Sequence, residues 1–505
     1  MNLFVQQGGI QELAADAIIV NLFQGVTEPQ GATGVVNKAL AGAIGELIEG
    51  GDLTGKLGQT AVLYPRRAIP ARRVIVVGLG EPDKFDLEAV REASGAAIKQ
   101  ARQVGAKKVA TIVHGGGAGG LDLAEAAQAV VEGSLLALYR YDAPRSRQAE
   151  DDDRQLDSLA LVEFDPGKIG PVEAGAQAGQ IIADSVALAR TLVNQPGNVA
   201  TPNAITRAAQ AMAAEVGLTC TVWDEDKLRE QGMGALLAVN QGATQPARFI
   251  IMEHRPAGVA DRPLVLVGKG VAFDTGGYAL KSLDSMVGMK ADMAGAAAVI
   301  AALRALALLR APTPVVGLAP LVENMISATA YKPSDVFTAK NGVTIEVTNT
   351  DAEGRLILAD ALCYAGELNP AAVIDVSTLT GGKVVALGER TTALFCTDDS
   401  LSAVLLEAGR KVGEPLWRLP LDPAYDRQLK SNVADLKNVG GRSASAVTAA
   451  RFLAHFVGEW PWAHLDIAGG ELNNGGPEST LRSYVPTGAT GVTVRTLVEL
   501  ARNWK

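Results

Sequence analysis

The sequence predicts an α/β protein with two domains. Its 505 residues and 48% hydrophobic content are enough for more than one buried core. Short β-like runs alternate with Ala-rich helical stretches, and this alternation is typical of sheets covered by helices. The segment Phe164–Pro171 combines two prolines with two glycines and indicates a domain boundary. We therefore predict domains at residues 1–165 and 166–505.

The first predicted domain alternates strands with a long Ala-rich helix. Short apolar runs bounded by turn residues favour buried strands, whereas a longer stretch with helical periodicity favours a helix. The strands are predicted at Ala17–Leu22, Arg73–Val77, Val109–Val113 and Leu159–Val162, and the helix at Leu87–Val104. This order of elements predicts an α/β unit.

The second predicted domain begins with a linking helix at residues 170–195. Its periodic part is Val172–Val193, and Asn194-Gln-Pro-Gly is a helix stop signal. The strands that follow are predicted at Phe249–Ile251, Leu264–Val267, Val315–Leu318, Ala372–Asp375 and Ala393–Cys396, with helices at Ala294–Leu309 and Leu356–Gly366. This pattern predicts a doubly wound, mostly parallel sheet, which binds ligands beyond the carboxyl ends of its strands.

Charge and hydropathy exclude several classes of protein. The net charge of −9 argues against a general nucleic-acid surface. Glu12 and Asp16 precede any Lys or Arg, so we read no signal peptide and expect a cytoplasmic protein. The most apolar run, Ala294–Leu309, contains Arg304 and is too short to span a bilayer, so we expect a core helix and no membrane partner.

One strand-to-helix corner is unusually rich in charge. Asp351, Glu353 and Arg355 follow the strand-like stretch Val343–Val347 and precede the helix-like stretch Leu356–Leu368. Carboxylates two positions apart cannot share a helix face, but at a corner both can point at one centre. Such oxygens suit a hard or borderline divalent metal.

Charged residues also follow the strand Leu264–Val267. They are Lys269, Asp274 and Lys281, and then Lys290 and Asp292 before the next helix. Together with the first corner they supply four carboxylates and a possible amine ligand. This set is enough for two ions at a separation of about 3.5–4 Å.

The four histidines and three cysteines lack CxxC or HExxH spacing, so any metal must lie on oxygens and perhaps an amine. The alternative is structural, because an isolated carboxylate before a helix is usually a cap. An isolated Lys or Arg is likewise usually a solvated surface charge. The spacing alone leaves the two interpretations equally open.

Complete motifs favour the first interpretation. NTDAEGRL stands at Asn349–Leu356, and the pattern GKG-x-x-FD-T-GG-x-x-LK stands at Gly268–Lys281. Further motifs are MK-x-DM-x-G at Met289–Gly295, and the segments Ala189–Pro196, Asp435–Arg442 and His464–Gly469. These residues resemble the leucyl aminopeptidases of the M17 peptidase family. The resemblance covers residues 170–505 and is weaker in the first domain.

The resemblance implies two divalent ions per subunit, zinc or manganese. The tighter ion would be held by Lys269, Asp274, Asp292 and Glu353. The more exchangeable ion would be held by Asp274, Asp351 and Glu353, with help from the Asp351 carbonyl. The ions would activate a water and take the free α-amine of the substrate, so the reaction would be exopeptidic.

The resemblance also implies catalytic and substrate-binding residues. Lys281 would polarise the peptide carbonyl, and Arg355 would hold a bicarbonate ion that acts as general base. An apolar side-chain pocket and the peptide would be contacted by Met289, Asn349, Thr378, Leu379, Gly381 and Ala468. For any one pocket residue, ordinary core packing is an equally good interpretation.

Departures from the family pattern include Thr275, Tyr278, Ala291 and Ala294. None of them removes a ligand or a charge. Tyr278 lies three positions before Lys281 and either narrows the site or packs against the sheet, and we favour packing.

The function implied is the release of N-terminal residues, Leu-like ones preferred, from peptides. The family also implies a macro-like first domain and a homohexamer, a dimer of trimers. The rival hypothesis is a scaffolding oligomer whose first domain binds nucleic acid. The complete ligand set argues against it, because a scaffold does not require Lys269 and four carboxylates at these spacings.

Overall fold

The computed structural model describes residues 1–117, 119–142, 154–259, 262–476 and 482–504. The chain forms two compact units, Met1–Asp184 with Leu481–Pro486, and Ser185–Thr480 with Thr487–Lys505. The helix Ile169–Asn194 includes the point where the chain leaves the first unit. The boundary between residues 165 and 166 stays a prediction.

The first unit contains one mixed sheet with helices. Its strands are β1 Asn2–Gln7, β2 Ala17–Leu22, β3 Thr60–Leu63, β4 Val74–Gly78, β5 Lys108–Ile112 and β6 Ser158–Glu163. The helices are α1 Gly31–Ala39, α2 Ala43–Glu49, α3 Leu87–Gln103 and α4 Leu123–Leu138, and the longer α5 Ile169–Asn194 begins in this unit and ends in the second. The strand order is β1-β6-β5-β2-β4-β3, and only the β3–β4 pair is antiparallel among the described residues.

Helix caps and apolar strands explain these elements. Strand β4 is buried along its whole length, as an inner strand of an α/β sheet should be. Helices α3 and α4 each begin after an aspartate, and the side chains of Asp86 and Asp122 accept hydrogen bonds from the N–H groups of Ala89 and Glu125, each at 2.9 Å.

The second unit contains a larger mixed sheet. The strands of this unit are β7 Thr219–Trp223, β8 Arg248–His254, β9 Leu264–Gly268, β10 Gly270–Asp274, β11 Val315–Asn324, β12 Val336–Thr338, β13 Thr344–Glu346, β14 Ala372–Ser377, β15 Thr392–Cys396, β16 Leu416–Arg418, β17 Leu436–Lys437, β18 Trp462–Asp466, β19 Leu472–Asn473 and β20 Gly488–Ala489. Strands β12, β13 and β17 form a separate three-stranded sheet, and β19 and β20 a two-stranded one. The helices are α6 Pro202–Val216, α7 Glu225–Glu230, α8 Gly234–Asn240, α9 Leu283–Met286, α10 Ala294–Leu308, α11 Gly354–Glu367, α12 Gly381–Leu387, α13 Asp399–Lys411, α14 Ser445–Ala454 and α15 Val494–Arg502.

The main sheet has the order β16-β15-β18-β14-β9-β11-β8-β7, and β10 also pairs with β11. The pairs β10–β11, β11–β9, β9–β14, β14–β18 and β15–β16 are parallel. The pairs β8–β11, β7–β8 and β15–β18 are antiparallel. The predicted α/β class with a mostly parallel sheet is therefore confirmed.

Helices α8, α11 and α14 join strands β9, β11 and β14 in a large cluster of buried apolar side chains, and helix α10 packs on the same strands. Close approach requires glycine here, because a Cβ on Gly268 would lie 2.4 Å from the carbonyl oxygen of Gly295. A Cβ on Gly295 would in turn lie 2.1 Å from the carbonyl oxygen of Val376. The packing sets the start of α10 against the carboxyl ends of β9 and β14.

One described stretch, Leu283–Leu308, is long and apolar enough to cross a membrane, judged by length and composition alone. Of its most apolar window, 83% is buried inside the unit. The buried helix α10 makes up most of this stretch. A helix in the core of a globular protein can be as long and as apolar as a membrane span.

Candidate metal centre

The charged motifs meet at the carboxyl ends of the central strands. Lys269 lies between β9 and β10, and Asp274 is the last residue of β10. Asp292 lies two residues before α10, and Glu353 caps the start of α11. Because β9, β10 and β14 run parallel, residues distant in the sequence reach one edge of the sheet.

Two lysines each bridge two carboxylates. The ammonium nitrogen of Lys269 lies 2.7 Å from Asp292 Oδ1 and 2.9 Å from Glu353 Oε1. That of Lys281 lies 2.9 Å from Asp274 Oδ2 and 2.6 Å from Asp351 Oδ1. Four carboxylates therefore face two ammonium groups, so negative charge is in excess.

Burial makes this excess charge costly. Burial raises the pKa of the Asp274 and Asp292 carboxyls above their ordinary values. The ammonium groups of Lys281 and Lys269 only partly oppose the shift at Asp274, and that of Lys269 only partly opposes it at Asp292. Burial lowers the pKa of Lys269, but the carboxylates of Asp292 and Glu353 outweigh burial and raise it overall. Without a metal Lys269 is therefore held as an ammonium ion, and only a bound cation would favour its neutral form.

The donor set fits a divalent metal. One oxygen each of Asp274, Asp351 and Glu353 lie within 4.8 Å of one another. Asp292 Oδ1 is contacted by Lys269, whereas the buried Asp292 Oδ2 has no hydrogen-bond partner among the described residues. A buried carboxylate oxygen without a donor is costly, and a cation would satisfy it. The residues that would hold metal are Lys269, Asp274, Asp292, Asp351 and Glu353.

Glycine and amide side chains fix the ligands. A Cβ on Gly354 would lie 2.4 Å from Lys269 Cε, so the glycine after Glu353 makes room for the lysine. The Asn324 side-chain amide donates to Asp274 Oδ1 at 2.8 Å and to the Thr350 carbonyl at 3.0 Å. These contacts join the two halves of the centre and hold the ligands before any ion binds.

Arg355 is buried on the same side as the ligands. Its Nη1 donates to the carbonyl of Asn438 at 2.8 Å, and its Nε has no hydrogen-bond partner among the described residues. Burial lowers the pKa of Arg355 to about 10, so the guanidinium remains charged at neutral pH. The Asn438 side chain accepts from Thr348 N at 2.8 Å and donates to the Asn349 carbonyl at 2.7 Å. The Asp435–Arg442 motif thus positions the Asn349–Leu356 loop.

A cavity of about 510 Å³ contains every site residue that the sequence predicts. These residues are Lys269, Asp274, Lys281, Met289, Asp292, Asn349, Asp351, Glu353, Arg355, Thr378, Leu379, Gly381 and Ala468. The structure therefore brings the whole predicted set together.

Sequence reasoning missed other residues that line this cavity, among them Val384, Arg442 and Glu471. Arg442 and Glu471 lie at or just beyond the ends of matched motifs, and that position is the one signal that could have found them. Tyr278 is 49% exposed and does not line the cavity, and its hydroxyl donates to the Ser327 carbonyl at 3.0 Å.

Comparison with known proteins agrees with this geometry. A family model described as the catalytic domain of the cytosol aminopeptidase family matches residues 187–498. The model of the N-terminal domain of that family matches residues 19–148. The chain belongs to the cytosol aminopeptidase family.

Relatives of this aminopeptidase match over the full chain. The chain is 44% identical to a probable cytosol aminopeptidase of Syntrophotalea carbinolica, with 97% of each chain covered. It is 41% identical to one of Roseiflexus castenholzii, with 100% of this chain and 99% of the relative covered.

Solved structures show the same architecture. The bottromycin maturation enzyme BotP in complex with Mn is 36% identical with a TM-score of 0.85, covering 97% of this chain and 99% of BotP. A tomato leucine aminopeptidase mutant is 31% identical with a TM-score of 0.87, covering 99% of this chain and 96% of the tomato chain. Family membership makes the protein a metal-dependent aminopeptidase, a hydrolase that removes N-terminal residues. The resemblance to the M17 family is confirmed.

Proposed function

We propose that this aminopeptidase releases Leu-like N-terminal residues from short peptides, using two divalent ions, Lys281 and a bicarbonate held by Arg355. The observation that carries the proposal is that four carboxylates, three of them buried, face only two lysines in the lining of the cavity. Without cations, so much buried negative charge is unfavourable.

The ligands divide into two overlapping sets. Lys269, Asp274, Asp292 and Glu353 would hold one ion, and Asp274, Asp351 and Glu353, with the Asp351 carbonyl, would hold the other. When bound, a pair of zinc or manganese ions polarises a carbonyl and lowers the pKa of water towards about 7. The complex of BotP with Mn supports a divalent ion in the homologous fold.

Lys281 is suited to act on the substrate. Its side chain is 15% exposed, compared with 4% for Lys269, so its ammonium group is the more accessible of the two within the cavity. Burial lowers the pKa of Lys281, but Asp274 and Asp351 outweigh burial, so it stays protonated. A fixed cation placed there stabilises negative charge that develops on the carbonyl oxygen.

Arg355 is suited to hold a small anion. The guanidinium is buried, and its Nε has a hydrogen that no described residue accepts. A planar oxyanion such as bicarbonate matches the planar donors of arginine. Held there, it would accept the proton of the attacking water as general base.

The side-chain pocket has rigid walls. Asp466 Oδ1 accepts hydrogen bonds from the N–H groups of Leu379 and Ala468, both at 3.1 Å. Lys269 Nζ also donates to the Thr378 carbonyl at 2.8 Å, which connects the pocket wall to the metal ligands. Walls fixed in this way support selection of the substrate side chain.

The test uses leucine p-nitroanilide. Hydrolysis should require Mn or Zn, stop with chelator, and fail with an N-acetylated substrate because the free amine is recognised. Asp351→Ala should lower kcat/KM by at least about 1,000-fold, since metal catalysis contributes several kcal/mol. Full activity of this variant would overturn the proposal. Salt-sensitive DNA binding without hydrolysis of any dipeptide would favour the scaffold instead.

Assembly and location are extensions of the same proposal. The family resemblance implies a homohexamer, and the relatives are named cytosol aminopeptidases, which supports a cytoplasmic location. Light scattering of the purified protein tests the first point, because a monomeric mass would contradict a hexamer.

A further inference from the structure

The cavity wall contains a carboxylate outside the metal centre. Glu471 follows strand β18 and the Ala468 loop, and it precedes strand β19. It lines the same cavity as the metal ligands and the predicted pocket residues Gly381 and Ala468. The pocket that the sequence predicts as apolar therefore includes one acidic side chain.

Glu471 has an unused acceptor. Its Oε2 is buried and has no hydrogen-bond partner among the described residues. Burial raises the pKa of Glu471 to about 7, against backbone hydrogen bonds from Glu471 and Gly469 and the positive charge of Lys383. A buried carboxylate oxygen without a donor costs free energy, so a structural role alone does not account for it.

The neighbouring cation does not pair with this carboxylate. Lys383 Nζ donates to the carbonyl of Gly388 at 2.9 Å and to that of Ala468 at 2.8 Å. No ion pair within 4.0 Å joins Lys383 to Glu471 in the described chain. Lys383 instead holds the Ala468 loop, and Glu471 lines the cavity while its buried Oε2 has no donor among the described residues.

We propose that Glu471 is a specificity-determining residue, which lets the pocket accept N-terminal Lys and Arg in addition to Leu-like residues. The inference rests on the proposed aminopeptidase function. Met289, Leu379 and Val384 line the pocket and would contact the aliphatic part of a long basic side chain. The Glu471 carboxylate would then receive a charge-assisted hydrogen bond from the cationic end.

Little rearrangement is needed for this contact. The terminal torsion of glutamate has a broad energy minimum, so the carboxylate can turn Oε2 towards the cavity at low cost. A substrate donor would supply a partner for this oxygen, which has none among the described residues. A Leu side chain fits the same walls but cannot supply it.

The experiment compares kcat/KM for the p-nitroanilides of Leu, Lys and Arg on the metal-loaded enzyme. Glu471→Met should lower the Lys/Leu and Arg/Leu ratios by roughly 10-fold or more, as expected for a lost hydrogen bond to a charged group. Glu471→Gln keeps the shape and an acceptor, and should lower the ratios less. Thermal melting of both variants checks that they fold.

Glu389→Gln is the matched control. Glu389 lies near the Ala468 loop, with its Cγ 3.6 Å from the position of a Cβ on Gly469, but it does not line the cavity. Its substitution removes the same charge and should leave the ratios unchanged. Unchanged ratios in Glu471→Met, an equal loss for all three substrates, or the same change in Glu389→Gln would overturn the inference. If the wild-type enzyme cleaves none of the three, the proposed function itself fails.

Discussion

The two units both bury charged side chains, but they do so in opposite ways. In the first unit, Arg91 Nε contacts Glu132 Oε2 at 2.6 Å, and the Gln128 side chain donates to Glu132 Oε1 at 2.6 Å. Both oxygens of this buried carboxylate therefore have donors. In the second unit, four carboxylates face two lysines, and Asp292 Oδ2 has no partner among the described residues.

The difference shows how a structural ion pair is distinguished from a ligand site. Burial alone does not separate them, since Glu132 and Glu353 are both almost fully buried. Complete hydrogen bonding stabilises the native state, whereas excess charge of one sign raises its free energy until a ligand binds. Function requires the excess negative charge at the metal centre, and this charge destabilises the folded protein when no metal is bound.

The largest expected effect is a difference between Glu132 and Glu353 in what their removal does to stability. Glu132→Ala should lower the free energy of unfolding by about 3–5 kcal/mol, because it leaves a buried arginine without its closest partner. Glu353→Ala should abolish hydrolysis, yet the metal-free protein should be as stable as wild type or more stable, since repulsion with Asp274 is removed. Denaturant unfolding in chelator measures both. Equal destabilisation by the two substitutions would contradict the comparison.

A smaller effect is expected at Lys281, which we assign to catalysis rather than metal binding. Lys281→Met should lower kcat by about 100–1,000-fold, as for the loss of one group that stabilises transition-state charge. The KM value and the bound metal should change little, as steady-state kinetics and metal analysis would show. Lys281→Arg keeps the charge and should recover part of the activity. Loss of metal together with activity would assign Lys281 to the ligand set instead.

The smallest effect is expected at Asp360, whose carboxylate is buried like most of the metal ligands but hydrogen-bonded at both oxygens like that of Glu132. The two oxygens of Asp360 accept the N–H groups of Leu236 and Lys340, each at 2.8 Å, and no ion pair within 4.0 Å includes it in the described chain. Burial raises the pKa of Asp360 to about 7, whereas an unfolded Asp titrates near about 3.9. The folded state therefore binds more protons between about pH 4 and 7, so stability falls as the pH rises through this window.

Asp360→Asn tests this expectation. Melting temperatures of the chelated protein measured from about pH 4.5 to 7, a range set by the pKa values above, should decline less steeply for the variant than for wild type. Part of the decline should remain, because burial also raises the pKa of Asp274 and Asp292. An identical slope for variant and wild type would show that Asp360 does not titrate in this range.

Most elements could be predicted from hydrophobic pattern, but their lengths and partners could not. The pattern predicts a strand that ends at Leu318, whereas β11 extends to Asn324. Pro320 normally argues against an inner strand. Here it lies where the parallel partner of β11 changes from β9 to β10. The extension matters because it carries Asn324 to Asp274.

The sequence by itself determined the family, the ligand types and the charges that meet at the site, because motifs record chemistry residue by residue. Only the tertiary structure decided that Asp292 keeps an oxygen without a partner among the described residues and that Glu471 enters the cavity. Both depend on contacts between distant segments, such as Asn438 with Asn349, 89 positions apart. Strand order creates those contacts, and the periodicity of a single strand or helix carries no information about which neighbour it will have.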